Sequence, residues 1–251
     1  MKNASWPFRR TAWPALRRLC ASLLPAQCAL CGASCQEMLC SPCRAQYLGQ
    51  VRPRCRQCAN PLADAASVCG RCLRQAPAYD ATFTAFDYAA PVDQLLLQLK
   101  FGARLALAPL FAQLLQEAIA DELRQPGREL PQLLCPVPLA AGRLAERGFN
   151  QALEIARPLA RLLAIPLQPR LALRVRETRA QSGVAPGERQ ANLAQAFAVA
   201  PQHAAMLRGC HVGIVDDVMS SGHTADVLAA AFKRHGAARV SVLAVARTPP
   251  H

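Results

Sequence analysis

The sequence runs to 251 residues, 52% of them hydrophobic and 5% aromatic, enough apolar mass for one sizeable α/β domain with a small module, or for two small domains. Its formal net charge of +13 rests almost wholly on arginine, since Lys2, Lys100 and Lys233 are the three lysines, and such a surface draws phosphates, nucleic acid or anionic lipid. No run of about 18 apolar residues offers a membrane-spanning helix, and Arg9, Arg10, Arg17 and Arg18 interrupt the apolar stretch that a secretory signal needs.

In chain order, residues 1–25 form a basic lead-in that mixes those arginines with Trp6, Phe8, Trp13, Leu16 and Leu19. A basic amphipathic helix near residues 11–24 would suit a membrane surface or nucleic acid, or pack on its own domain. Residues 26–78 hold nine of the twelve cysteines. They lack helical periodicity and carry too little apolar mass to fold unaided. From Tyr79 onward strand-like and helix-like segments alternate. Thr82–Tyr88 predicts a strand, Val92–Leu99 and Leu105–Leu123 helices, and Leu133–Val137 a buried parallel strand. Ala145–Leu163 predicts one long amphipathic helix. Val212–Val215 and Val240–Val245 predict further buried strands, with a helix over Thr224–His235 between them. The alternation argues for an open, mostly parallel α/β sheet. The polar stretch Arg174–Asn192 reads as a flexible loop, with Arg174, Arg176, Arg179 and Arg189 as candidate contacts to anions. Three regions result: a lead-in at 1–25, a cysteine module at 26–78 and an α/β domain at 79–251. The chain reads as cytoplasmic.

Four CxxC pairs stand in series: Cys28/Cys31, Cys40/Cys43, Cys55/Cys58 and Cys69/Cys72. A CxxC turn aims two thiolates at one cation, and two such turns complete a tetrahedral zinc site with no open position. Disulfides suit a cytoplasmic chain poorly, a redox CxxC usually comes alone, and an iron–sulfur cluster remains a third use of four cysteines. The spacing predicts two structural zinc ions, as a double zinc ribbon. The expected sets are Cys28, Cys31, Cys40 and Cys43, then Cys55, Cys58, Cys69 and Cys72, with a cross-braced pairing as the alternative. Cys35 stands near enough to replace a ligand; Cys20, Cys135 and Cys210 read as small apolar residues. Two four-thiolate sites of about −2 each would bring the net charge to about +9.

The most informative stretch is Val212-Gly-Ile-Val-Asp-Asp-Val-Met-Ser-Ser-Gly-His-Thr224. A buried strand ends in two adjacent carboxylates, and a turn of small hydroxyl residues and glycine opens a helix. Open α/β sheets bind ligands at the carboxyl ends of their strands. Ser220, Ser221, Gly222, His223 and Thr224 would surround a phosphate with hydroxyls and helix N-terminal N–H groups. Asp216 and Asp217 would repel phosphate, so they suit the vicinal hydroxyls of a ribose, or waters around Mg2+. A helix N-cap behind acidic residues accounts for Ser221 or Thr224 alone, but not for paired acids directly after a buried strand.

That stretch resembles the motif by which type I phosphoribosyltransferases bind phosphoribosyl pyrophosphate (PRPP), with Ser220-Ser221 in place of two threonines. The resemblance implies that Asp216 and Asp217 hold the ribose hydroxyls and that Ser220–Thr224 hold the 5′-phosphate. Enzymes of that group that use 6-oxopurines carry an aspartate general base where Ser220 stands, which argues against hypoxanthine or guanine salvage. Cys135-Pro-Val-Pro-Leu139 with Arg143 and Arg147-Gly-Phe-Asn-Gln151 is similar to the ComF family of competence-associated proteins. So are Arg176-x-Thr178…Gln181, Arg189-x-x-Asn192, Ala196-Phe197, and Leu99-Lys100-Phe101-x-x-Arg104. The resemblance covers residues 26–248. It implies a type I phosphoribosyltransferase-like parallel sheet flanked by helices, preceded by a small cysteine-rich zinc-ribbon module. It further implies a pyrophosphate loop at Val137, Pro138 and Leu139, whose backbone N–H groups face the leaving group, with Arg143 and Arg147 beside it. Arg176, Arg179 and Arg189 belong to the flexible loop.

Two function classes follow. ComF proteins act in uptake or use of exogenous DNA, so the first is a PRPP-binding factor of natural transformation that contacts single-stranded DNA and other DNA-uptake proteins. The second is an active phosphoribosyltransferase, in which Mg2+ neutralises departing pyrophosphate and the 174–192 loop excludes water. The sequence names no acceptor. Aromatics for stacking on single strands are few, chiefly Phe149, Phe197 and the N-terminal tryptophans.

Overall fold

The computed structural model describes residues 26–48, 52–63, 67–175 and 196–249. The lead-in, and Arg176, Arg179 and Arg189, lie outside the described residues. Two compact units divide the chain, one up to Gln50 and one from Val51 onward. In the smaller unit, β1 (Ala26–Gln27) pairs antiparallel with β2 (Ser34–Cys35), and α1 (Ser41–Leu48) follows. The second cysteine set belongs to the larger unit.

In the larger unit α2 (Gly70–Arg74), β3 (Ala81–Asp87), α3 (Asp93–Phe101), α4 (Leu107–Glu122) and β4 (Leu133–Pro136) come first. Helices α5 (Ala141–Arg147) and α6 (Gln151–Leu163) precede a small antiparallel pair, β5 (Ala172–Arg174) with β6 (Phe197–Val199). The chain then forms β7 (His211–Met219), α7 (His223–Arg234) and β8 (Arg239–Arg247). The main sheet is parallel throughout, in the order β3-β8-β7-β4. This is the parallel sheet with flanking helices that the alternation predicts, with β7 and β8 central.

Both faces of the central strands are buried, which is why they read as unbroken apolar runs. Val212, Ile214, Val240, Val242 and Ala244 share one cluster with Val227, Leu228 and Phe232 of α7. Val215, Leu243 and Val245, also buried, point from the opposite face, where α4 and α6 pack on each other and on the sheet.

One expectation is corrected. The predicted helix Ala145–Leu163 is two helices. Gly148 takes φ +80° and ends α5, and Asn150 begins α6 by accepting at Oδ1 from the N–H groups of Ala152 (3.0 Å) and Leu153 (3.4 Å). The amphipathic period survives the break, so periodicity alone hides it; glycine followed by a capping asparagine is the local signal. Asn150 also donates from Nδ2 to the Val137 carbonyl at 3.0 Å, which ties the turn after β4 to the start of α6.

The second cysteine segment is fastened to the sheet. Arg54 pairs with Asp87 at 2.7 Å, and Thr82 donates from Oγ1 to the Gln57 carbonyl at 2.6 Å. Arg247, at the end of β8 and 2% exposed, donates to the carbonyls of Cys58 and Met219 at 2.9 Å each, and to those of Ser220 and Thr248. A buried carbonyl left unpaired costs about 1–3 kcal/mol. Arg247→Ala should therefore lower unfolding stability by roughly 3 kcal/mol or more, read as a lower urea midpoint. An unchanged midpoint would show that the tie is not structural.

Candidate functional site

The structure brings the eight CxxC cysteines into two sets, Cys28, Cys31, Cys40 and Cys43, and Cys55, Cys58, Cys69 and Cys72, with ligand atoms within 4.8 Å of one another in each set. The pairing is sequential, not cross-braced. Cys35 is outside it, its thiol turned to the Glu37 carbonyl at 2.8 Å. A tetrahedral site with zinc–sulfur bonds of about 2.3 Å has sulfur–sulfur edges of about 3.8 Å. Cys31 and Cys40 are 3.7 Å apart, and Cys58 and Cys69 3.6 Å, so the thiols fit zinc.

The two sets repeat one local design. The turn of the first knuckle is closed by the Gly32 N–H on the Cys28 carbonyl at 2.9 Å, and by the Ala59 N–H on the Cys55 carbonyl at 2.8 Å. The third cysteine's N–H meets the first one's sulfur, at 3.4 Å from Cys40 to Cys28 and at 3.3 Å from Cys69 to Cys55. The fourth cysteine sits in the following helix, Cys43 in α1 and Cys72 in α2. Without a cation the thiols separate in acidity. Burial pushes Cys43 to about 12 and Cys58 to about 11. At Cys28 and Cys69 burial is outweighed by backbone N–H donors, and the values fall to about 6 and about 7. Four thiolates need the ion between them.

The turn between β7 and α7 owes its orientation to two arginines. The carbonyls of Met219 and Ser220 face Arg247, and that of Ser221 accepts from Arg71 Nη2 at 2.9 Å. In a trans peptide the C=O and the following N–H point in opposite directions. The N–H groups of Ser220, Ser221 and Gly222 therefore face away from the arginines, as a row of donors suited to an anion. Gly222 (φ +79°) begins α7, and a Cβ there would lie 2.8 Å from both Tyr79 Oη and Met219 Cε. Ser221 Oγ accepts from the His223 N–H at 3.3 Å, and His223 Nε2 is buried with no hydrogen-bond partner among the described residues. Asp226, in the first turn of α7, accepts from the Ala78 N–H at 2.6 Å. A cavity of about 580 Å³ borders the loop, lined by Asn60, Pro61, Arg71, Ser220, Ser221 and Thr248.

Asp216 and Asp217 lie three and two residues before the end of β7. Asp217 is 3% exposed and pairs with Lys100 Nζ of α3 at 2.7 Å. Asp216 accepts from the Asp217 N–H at 2.9 Å. Desolvation, and next the neighbouring Asp217 charge, hold the Asp216 carboxyl well above the usual range. Lys100 pairs with Asp217 and leaves Asp216 beside a like charge.

The turn after β4 is less open than its sequence suggests. The Val137 N–H donates to the Val215 carbonyl at 2.9 Å and proline has none, so the backbone donors here begin at Leu139. Arg143 is exposed on α5. Arg147 donates to Gln151 Oε1 at 2.6 Å and lies over the Phe101 ring. Arg174 is in β5, over the ring of Phe197, which is buried and closed to a stacking base.

Comparison with known proteins fits this layout. Residues 19–73 match the double zinc ribbon domain family. The chain is 35% identical to the DNA utilization protein YhgH of Salmonella typhimurium over 84% of this chain and 90% of that protein. It is 32% identical to competence protein F of Haemophilus influenzae over 83% of this chain and 90% of that protein. The chain belongs to the ComF family. The chain also aligns loosely with solved structures. One is hypoxanthine phosphoribosyl transferase of Trypanosoma cruzi, at 16% identity and TM-score 0.36 over 58% of this chain and 76% of the other. Another is purine phosphoribosyltransferase of Pyrococcus horikoshii, at 22% and 0.30 over 53% and 70%.

Within this ComF family chain, sequence reasoning gave Lys100 only as part of a family pattern and missed Arg71 and Arg247. Arg247 carried a signal, since a charge closing an otherwise apolar buried strand must find partners. Zinc at both sets should appear as about two ions per chain by elemental analysis. Cys58→Ser and Cys31→Ser should each lose one ion. Only Cys58→Ser should lower the melting temperature of the larger unit, because Cys58 belongs to that unit's buried cluster. A second expectation concerns Asp216. Its raised pKa means that the folded state holds the proton more tightly than the unfolded chain, so stability falls as pH rises above about 4. Asp216→Asn keeps the Oδ1 acceptor and removes the charge. Its melting temperature should exceed that of the wild type, by a margin that grows from pH 4 to pH 8; a constant margin would refute the shift.

Proposed function

We propose that this ComF family protein binds PRPP with Mg2+ at the carboxyl end of β7 and works in uptake or utilisation of exogenous DNA, contacting single-stranded DNA. The row of N–H groups at Ser220, Ser221 and Gly222 beside the acid pair carries the reading. In it the N–H row and the hydroxyls of Ser220, Ser221 and Thr224 hold the 5′-phosphate. Asp216 and Asp217 accept from the ribose hydroxyls, which supplies the donors that two crowded carboxyls lack. Leu139, Arg143 and Arg147 face the pyrophosphate. Bound Mg2+ would neutralise pyrophosphate charge. The DNA role is supported by the names of the relatives and by the basic surface. Eight reduced cysteines favour the cytoplasm. Transfer to an acceptor is the second reading, supported by the intact acid pair; pyrophosphate release dependent on one nucleobase would establish it.

PRPP with Mg2+ at 100 times its Kd should add about 2.7 kcal/mol of stability, read as a raised melting temperature. Asp216→Asn combined with Asp217→Asn should fold and show no such rise. Calorimetry giving the double variant the wild-type PRPP affinity would overturn the assignment.

A further inference from the structure

Phe101 closes α3 with 75% of its surface exposed. An exposed aromatic alone is ordinary; here its surroundings give it a use. The Arg147 guanidinium lies over the ring, 5.3 Å from its centroid, and donates to Gln151 Oε1 at 2.6 Å. Arg147 thus covers one face of the ring and leaves the other open. Arg104 folds back on α3, its Nη1 2.8 Å from Gln98 Oε1, and Arg143 stands exposed on α5, the helix that carries Arg147. Among the described ion pairs none engages Arg104, Arg143 or Arg147 with a carboxylate. Glu146 is the acid of α5. The residue before Phe101 is Lys100, whose ammonium reaches Asp217, so the end of α3 is tied to the acid pair.

We propose that Phe101 is a stacking platform for an unpaired base of single-stranded DNA, with Arg104, Arg143 and Arg147 along the path of its phosphates. The inference rests on the strand-binding reading above and names its site. An open aromatic face amid cations not paired to acids matches a splayed single strand, which offers a base and phosphates together. Stacking on aromatics tolerates any base, as a protein handling arbitrary DNA requires. A duplex keeps its bases stacked on one another and would use the arginines alone. Phe101 is thereby added to the few aromatics, chiefly Phe149, Phe197 and the N-terminal tryptophans, that the sequence offered for stacking.

The test uses the full chain and a labelled oligothymidylate at about 50 mM salt, where phosphate contacts are strong. Phe101→Ala should weaken binding about tenfold without changing the salt slope or the melting temperature, and Phe101→Trp should restore it. Arg104→Gln should reduce the salt slope instead. A strand of abasic sites should bind wild type and Phe101→Ala alike. If wild type binds the oligothymidylate and Phe101→Ala binds it equally well, the platform is wrong and strand binding stands. If wild type binds no strand at this salt, the strand-binding reading fails and the platform with it.

Discussion

Between the end of β7 and the start of α7, three consecutive carbonyls are drawn to two arginines, and the rest of the site follows from that pull. Peptide planarity converts the position of Arg247 and Arg71 into the direction of three N–H groups. Neither arginine belongs to the phosphate motif. Arg71 comes from the second cysteine set, between Cys69 and Cys72, and Arg247 from the end of β8, where it also holds the Cys58 carbonyl. The metal-binding segment of the larger unit is thereby part of the scaffold of this turn. Tyr79 and Met219 complete the enclosure, since they leave no room for a side chain at position 222.

The acid pair works against the fold that holds it. Asp217 has Lys100, whereas Asp216 has burial and a like charge beside it. Proteins keep such arrangements where a ligand supplies what the fold withholds. The gain expected from Asp216→Asn and the loss of PRPP binding expected from the double substitution express the same tension, in stability and in affinity.

Much of this was legible in the sequence because it is local. A CxxC turn is defined within four residues, and two turns separated by a short hairpin can hardly avoid meeting. The buried strand, the acids and the small-residue turn of 212–224 likewise sit in one continuous stretch. What escaped depends on residues distant along the chain. Lys100 meets Asp217, Arg71 meets Ser221, and Arg147 meets Phe101 only after the sheet has formed. Phe197 looked available for stacking because its strand context was not legible, while Phe101 was read only as part of a family pattern. The break at Gly148 is a different failure. Its signals were present, but a helical period that continued across them carried more weight than it should.

The strand order has a consequence for how the molecule is made. β3 pairs only with β8, and β4 only with β7, within the main sheet. Both central strands are synthesised after both edge strands. A nascent chain that has emerged through β4 therefore holds no main-sheet ladder at all, and its apolar segments wait on the ribosome for partners not yet translated. Closing such long loops makes assembly slow and leaves strands open to wrong pairing in the interval. Zinc capture by the cysteine sets needs only short-range contacts and can run ahead of the sheet. The metal sites would then be the first ordered structure a growing chain acquires, and the turn between β7 and α7, which needs β8 for Arg247, among the last.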